Sequence, residues 1–168
     1  MGIPFAAMPF CLIFLAVVSE LSDLFDGFFA RRHNKVTELG KILDPMADSI
    51  FRLSVFLAFT QGFLQIPLLI VVLLFYRDSI ISTLRTVCAL KGFTLAARRS
   101  GKIKAVLLAV VMFLILALMV PYSMGLISLA LLRTCSFWSV LLVALYTVFT
   151  GCEYVYANRS YVKKILGF

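Results

Sequence analysis

Four aspartates with a defined spacing, Asp23, Asp26, Asp44 and Asp48, are the residues of this chain best suited to chemistry. They lie in Asp23-Leu-Phe-Asp26-Gly27-Phe-Phe-Ala30-Arg31 and, eight residues later, in Gly40-Lys-Ile-Leu-Asp44-Pro-Met-Ala-Asp48. Six of the eight acidic residues fall between Glu20 and Asp48, and the flanking sequence is strongly apolar. Residues three or four apart share one face of a helix. Each pair therefore offers two carboxylates on one face, and neighbouring segments would bring four together. Four carboxylates repel one another unless cations intervene. Oxygen ligands without His or Cys suit a hard divalent ion, Mg²⁺ or Mn²⁺, and exclude a thiolate zinc site. A carboxylate in an apolar membrane segment costs about 2.5–3.5 kcal/mol on insertion scales, and bound metal would offset that cost.

The residues around the aspartates fit a phosphate ligand. Gly27 allows close backbone approach, Ala30 leaves space one turn after Asp26, and Arg31 offers a planar fork. Asp44-Pro45 also reads as a helix start, with Asp as cap and Pro in the first helical position, so capping alone is a competing reading of Asp44. Asp23 and Asp26 are expected in the last turns of their helix, where a carboxylate opposes the macrodipole. Asp23 precedes Arg31 by eight residues, about 12 Å along a helix. That depth suits a lipid diphosphate at the headgroup boundary.

These acids need helices to carry them, and composition supplies that expectation. The chain has 168 residues, 62% hydrophobic, with mean hydropathy +1.05 and net charge +8. Such a composition indicates an integral membrane protein, and long apolar runs without alternation indicate helices and not barrel strands. The expected fold is an all-α, polytopic transmembrane bundle forming a single domain over residues 1–168. Five spans are expected: Pro4–Phe29, Asp44–Phe63, Ile66–Leu90, Ile103–Tyr122 and Phe137–Ala157. The apolar segment Gly125–Ser136 reads as a surface or re-entrant helix or as an extension of its neighbours. The basic residues cluster at 31–41, 91–104 and 159–164, which places those clusters in the cytoplasm by the positive-inside rule. Every cluster abuts an apolar span, which argues against nucleic-acid binding. An odd number of spans then puts an uncharged start outside, so an N-terminal span is expected to be missing. The four cysteines are scattered without a CxxC pair and read as small buried residues. Trp138, Tyr122 and Tyr154 fit interfacial anchoring.

The pattern D-x2-D-G-x2-A-R-x8-G-x3-D-x3-D resembles the signature of the CDP-alcohol phosphatidyltransferases, with all eight fixed positions present: Asp23, Asp26, Gly27, Ala30, Arg31, Gly40, Asp44 and Asp48. The resemblance implies a six-helix membrane fold, of which this sequence lacks the first helix, and a homodimer. It implies two divalent metal ions held by Asp23, Asp26, Asp44 and Asp48. It also implies that Asp23, Gly27, Ala30, Arg31 and Gly40 help to seat the CDP group. Asp48 would take the proton from the acceptor hydroxyl, and CMP would leave.

The third segment carries the acceptor question. Asp78, Ser82 and Arg85 share one helical face, with Arg77 adjacent, and this stripe is expected to face the bundle interior or a wet cavity. An ion pair of Asp78 with Arg52 or another partner is the competing reading. Arg98, Arg99, Lys102 and Lys104 read either as ordinary cytoplasmic charge or as a cationic pocket for an anionic acceptor. Arg77, Arg85, Lys102 and Lys104 are the candidate acceptor-phosphate residues. Arg-Asp…Ser-x-Leu-Arg followed by Gly-Lys-Ile-Lys is similar to the phosphatidylglycerophosphate synthase branch of the family, whose substrates are CDP-diacylglycerol and glycerol 3-phosphate. That branch carries Thr where this chain has Ala105. Inositol phosphate and phosphatidylglycerol are competing acceptors, and a transporter or an inactive relative is the competing class. The implied location is the bacterial cytoplasmic membrane, with the site facing the cytoplasm. Glu153 reads as a partner of Arg159 or as a group orienting a basic residue of the pocket.

Overall fold

The computed structural model describes residues 8–32, 38–92 and 99–161, with the side chains at 8, 23, 24, 26–32, 38–45, 48 and 89 outside that description. Five helices follow one another: α1 (Met8–Arg32), α2 (Glu38–Phe59), α3 (Leu68–Leu90), α4 (Arg99–Ser123) and α5 (Leu129–Ala157). The all-α expectation holds among the described residues.

The expectation of five membrane spans does not. Among the described residues, two helices, α4 and α5, are long and apolar enough to cross a membrane. The reason is where the charges fall. In α1 the apolar stretch is Pro9–Ser22, and in α2 it is Ser49–Phe59. The acids that make these helices chemically interesting shorten them as apolar segments. In α3, Arg77, Asp78 and Arg85 interrupt an otherwise apolar run.

Helices α4 and α5 form the centre. They pack on each other, α3 packs on α5, α1 on α4, and α2 on both α3 and α4. The turn between α4 and α5 is fixed by local chemistry. Leu126 N–H donates to the Pro121 carbonyl at 2.9 Å and Gly125 N–H to that of Tyr122 at 3.0 Å. Gly125 holds φ +73°, the left-handed conformation that closes a helix in this bonding pattern. Ser128 then caps α5 by accepting from Leu131 N–H at 3.2 Å, so α5 begins at Leu129 and absorbs most of the 125–136 segment as its own extension. At its other end Asn158 donates from its backbone and its side chain to the Tyr154 carbonyl.

The core is apolar and continuous, with Phe56, Leu74, Met112, Ile115, Leu132 and Val140 buried at its middle. The outer face is apolar too: Phe14, Leu69, Leu142 and Phe149 are each about two-thirds exposed. Water-soluble monomers rarely expose apolar surface so widely, and this surface is compatible with lipid.

At the end of the bundle holding the α2–α3 turn, Arg133 Nε donates to the Phe63 carbonyl at 2.6 Å, while the Phe63 ring lies 5.4 Å from that of Tyr122. One charged donor thus ties the turn to α5. Arg133→Leu is expected to destabilise the protein by about 1.5–3 kcal/mol, read as a lower Tm in detergent. An unchanged Tm would show that the tie contributes nothing.

Candidate functional site

The four aspartates lie on two helices, Asp23 and Asp26 in α1 and Asp44 and Asp48 in α2. Their side chains, and those of Gly27, Ala30, Arg31 and Gly40, lie outside the described residues. The backbone corrects two expectations about them. Helix α2 begins at Glu38, so Asp44 and Pro45 stand inside the helix and Asp44 is not its cap. Helix α1 continues to Arg32, so Asp26 stands six residues before its end and the macrodipole argument, confined to the last turn, does not apply. Capping therefore accounts for none of the four.

An ion pair relates the two helices. Arg52 Nε lies 3.4 Å from Glu20 Oε1, with both side chains largely buried. Glu20 is three residues from Asp23 and Arg52 four from Asp48. The contact between α1 and α2 therefore falls one turn from the register of each acid pair.

A second polar cluster is fully described. Lys104 Nζ, on α4, donates to both oxygens of Asp78 at 2.7 Å, and Arg77 on α3 donates to Asp78 Oδ1 at 3.0 Å. These side chains are 7%, 12% and 13% exposed. Asp78 therefore has Lys104 and Arg77 as its partners. Arg77 also donates to Thr150 Oγ1 on α5 at 3.2 Å, while its Nε–H, buried, finds no acceptor among the described residues. Arg85 donates from Nε to the Tyr154 hydroxyl at 3.2 Å, and its guanidinium carbon stands 5.2 Å from the centre of the Tyr154 ring. Among the described residues, three cations and one carboxylate leave two surplus positive charges in this cluster. Lys102 and Arg99 are exposed, and Lys102 lies about half a turn around α4 from Lys104.

Helix α5 supplies residues that sequence reasoning missed. Thr147, Thr150, Gly151 and Tyr154 are buried along one face of it. Tyr154, expected at a membrane interface, is 2% exposed. Tyr154 meets Arg85, and the Arg159 guanidinium carbon lies 4.4 Å from the centre of the Tyr156 ring. The available signal was the helical spacing i, i+3, i+4, i+7 of small and hydroxyl-bearing residues.

The two clusters share one level of the bundle. A cavity of about 410 Å³ is lined by Glu20, Arg52, Ala105, Val106, Ala109, Val110 and Phe113. Ala105 follows Lys104 directly in α4. The basic cluster thus stands beside the Glu20–Arg52 pair, which is one turn from the acid registers.

The sequence profile of the CDP-alcohol phosphatidyltransferases matches residues 5–149, most of the chain. The chain belongs to the CDP-alcohol phosphatidyltransferase family. It is similar to the CDP-diacylglycerol–glycerol-3-phosphate 3-phosphatidyltransferase of Bacillus subtilis (strain 168), at 29% identity over 96% of this chain and 79% of that protein. It is also similar to proteins of the same description from Rickettsia typhi, at 30% identity over 88% of the chain and 79% of the relative, and from Rickettsia bellii, at 31% over 94% and 83%. Membership makes the chain a transferase of the CDP-alcohol phosphatidyltransferase type, working on lipid in a helical, membrane-compatible fold.

Within this family the division of the site is chemically sensible. Acids lie on α1 and α2, cations on α3 and α4, and the buried hydroxyls of Thr150 and Tyr154 on α5 touch the cations. The donor set on α1 and α2 is all carboxylate oxygen, which fits hard divalent ions.

Proposed function

We propose that this protein transfers the phosphatidyl group of CDP-diacylglycerol to glycerol 3-phosphate, releasing CMP. The observation that carries the reading is the surplus of positive charge, among the described residues, in the Arg77–Asp78–Lys104 cluster with Arg85 farther along α3. Buried charge demands compensation. A phosphate monoester brings about −1.5 to −2 charge at pH 7 and accepts readily from guanidinium groups. Choline or ethanolamine, being cations, would be repelled. The similarity to the Bacillus and Rickettsia proteins, whose description names glycerol 3-phosphate, points the same way.

Asp23, Asp26, Asp44 and Asp48 would hold two divalent ions, Mg²⁺ or Mn²⁺. Bound there, the ions would neutralise charge on the diphosphate. Asp23, Gly27, Ala30, Arg31 and Gly40 would seat the CDP group. Arg77, Arg85 and Lys104, with Lys102 nearer the surface, would hold the acceptor's phosphate. Asp48 would accept the proton as the acceptor hydroxyl attacks the lipid-bearing phosphorus. One P–O bond to the acceptor forms, and the P–O bond to CMP breaks. The basic clusters support a site on the cytoplasmic side of a bacterial membrane, and the protein would work there as a homodimer.

The test is CMP release by purified protein with CDP-diacylglycerol and Mg²⁺, across glycerol 3-phosphate, inositol phosphate, phosphatidylglycerol and choline. CMP is expected with glycerol 3-phosphate. Faster turnover with inositol phosphate or phosphatidylglycerol would keep the chemistry and change the acceptor. Turnover with choline, or full turnover after exhaustive chelation, would overturn the reading.

A further inference from the structure

The buried face of α5 touches both arginines of α3, and the family profile ends at residue 149, before the contact residues begin. Arg77 and Arg85 are eight residues apart, about 12 Å along α3. Their anchors on α5, Thr150 and Tyr154, are four residues apart, about 6 Å. Both arginines thus find their anchors within about one turn of α5.

Each anchor fixes its arginine in a different way. Tyr154 uses both parts of its side chain, the hydroxyl accepting from Nε and the ring lying against the guanidinium. Nε is engaged, and among the described residues no hydrogen bond occupies the two terminal nitrogens of Arg85. Thr150 accepts from one terminal nitrogen of Arg77 while its own hydroxyl proton goes to the Thr147 carbonyl at 2.9 Å. Gly151 acts by having no side chain. A Cβ there would stand 3.0 Å from Arg77 Cγ and 3.7 Å from its Nε, so the arginine stem runs through space that any other residue would fill.

We infer that Thr150, Gly151 and Tyr154 are positioning residues that hold the Arg77 and Arg85 guanidinium groups as one receptor for a phosphate monoester. This rests on the acceptor reading given above. The α5 residues need not touch the ligand; they act through the arginines.

The experiment uses the full chain in proteoliposomes. Tyr154→Phe keeps the ring and removes the acceptor oxygen, and Thr150→Val removes the hydroxyl while keeping the shape. For each, KM for glycerol 3-phosphate is expected to rise about tenfold, with kcat and the KM for CDP-diacylglycerol within about twofold. Tyr154→Leu should raise the acceptor KM further. In an Arg85→Ala background, Tyr154→Phe should have no additional effect, because the two act as one unit. A purely structural role would instead lower Tm and kcat and leave the acceptor KM alone, and that result overturns the inference. A second readout needs no turnover. The inorganic phosphate concentration giving half-maximal thermal protection should rise about tenfold in Tyr154→Phe. Wild-type protein that is protected by phosphate in this Tyr154-dependent way but releases no CMP would sink the functional reading and keep the receptor. CMP release with unchanged acceptor KM and phosphate protection in both variants would do the reverse.

Discussion

Asp48→Asn should abolish CMP release, by about 10²–10⁴-fold or more, at saturating CDP-diacylglycerol and acceptor. The substitution is nearly isosteric, and Asp48 stands inside α2 with helix on both sides, so the backbone has no reason to change. What disappears is a group able to take a proton and one donor of the carboxylate set. An alcohol is a poor nucleophile at neutral pH, and a positioned base helps most as its proton departs. Near-normal CMP release by the variant, measured with stopped-time chromatography, would remove Asp48 from both roles. The neighbouring Glu20–Arg52 pair serves as a control for structural damage. It lies one turn away, and its survival is read from an unchanged Tm.

Asp78→Asn should cost about 3–5 kcal/mol of stability, the largest loss expected from any single change in the bundle. Both Asp78 oxygens accept from Lys104 and one also accepts from Arg77. Removing the negative charge leaves two adjacent, largely buried cations facing each other, with a third, Arg85, about two turns along α3. The measurement is Tm in detergent together with the fraction of monodisperse protein. Lys104→Met placed on top should recover part of the stability, because it removes one of the stranded charges, while leaving acceptor affinity lost. A wild-type Tm in Asp78→Asn would mean that the cluster is held by something other than this carboxylate.

The contrast between these two sites also shows what a sequence can reveal. The aspartate pattern is local: its meaning depends on spacing within one stretch of chain, and the family follows from it. The polarity of α3 is local as well, so an inward-facing Asp78 was legible. Its partner was not, because Lys104 lies 26 residues away on another helix, and its reading as cytoplasmic charge or acceptor pocket did not include a pair with Asp78. Tyr154 misled for a related reason. An aromatic near a helix end suggests an interfacial anchor, and only the packing of α5 on α3 shows it buried against Arg85. Asp44-Pro45 carries the features of a helix start, yet Glu38–Leu43 already continues the helix in front of it. The count of spans failed because total apolarity is high, whereas charges in α1, α2 and α3 break the runs that a membrane crossing needs.

The length of α5 bears on how the proposed acceptor would reach this place. Its 29 residues rise about 44 Å, against about 30 Å of hydrocarbon. Centred on the bilayer, the helix overhangs by roughly 7 Å at each end, which sets Tyr154 at the edge of the oily layer and Thr150 about one turn beneath it. A phosphorylated molecule arriving from the aqueous side would meet Arg85 at the mouth and Arg77 at the floor. On the proposed acceptor reading, overhang on this helix would grade the approach to the arginine pair from wet to dry within a single turn.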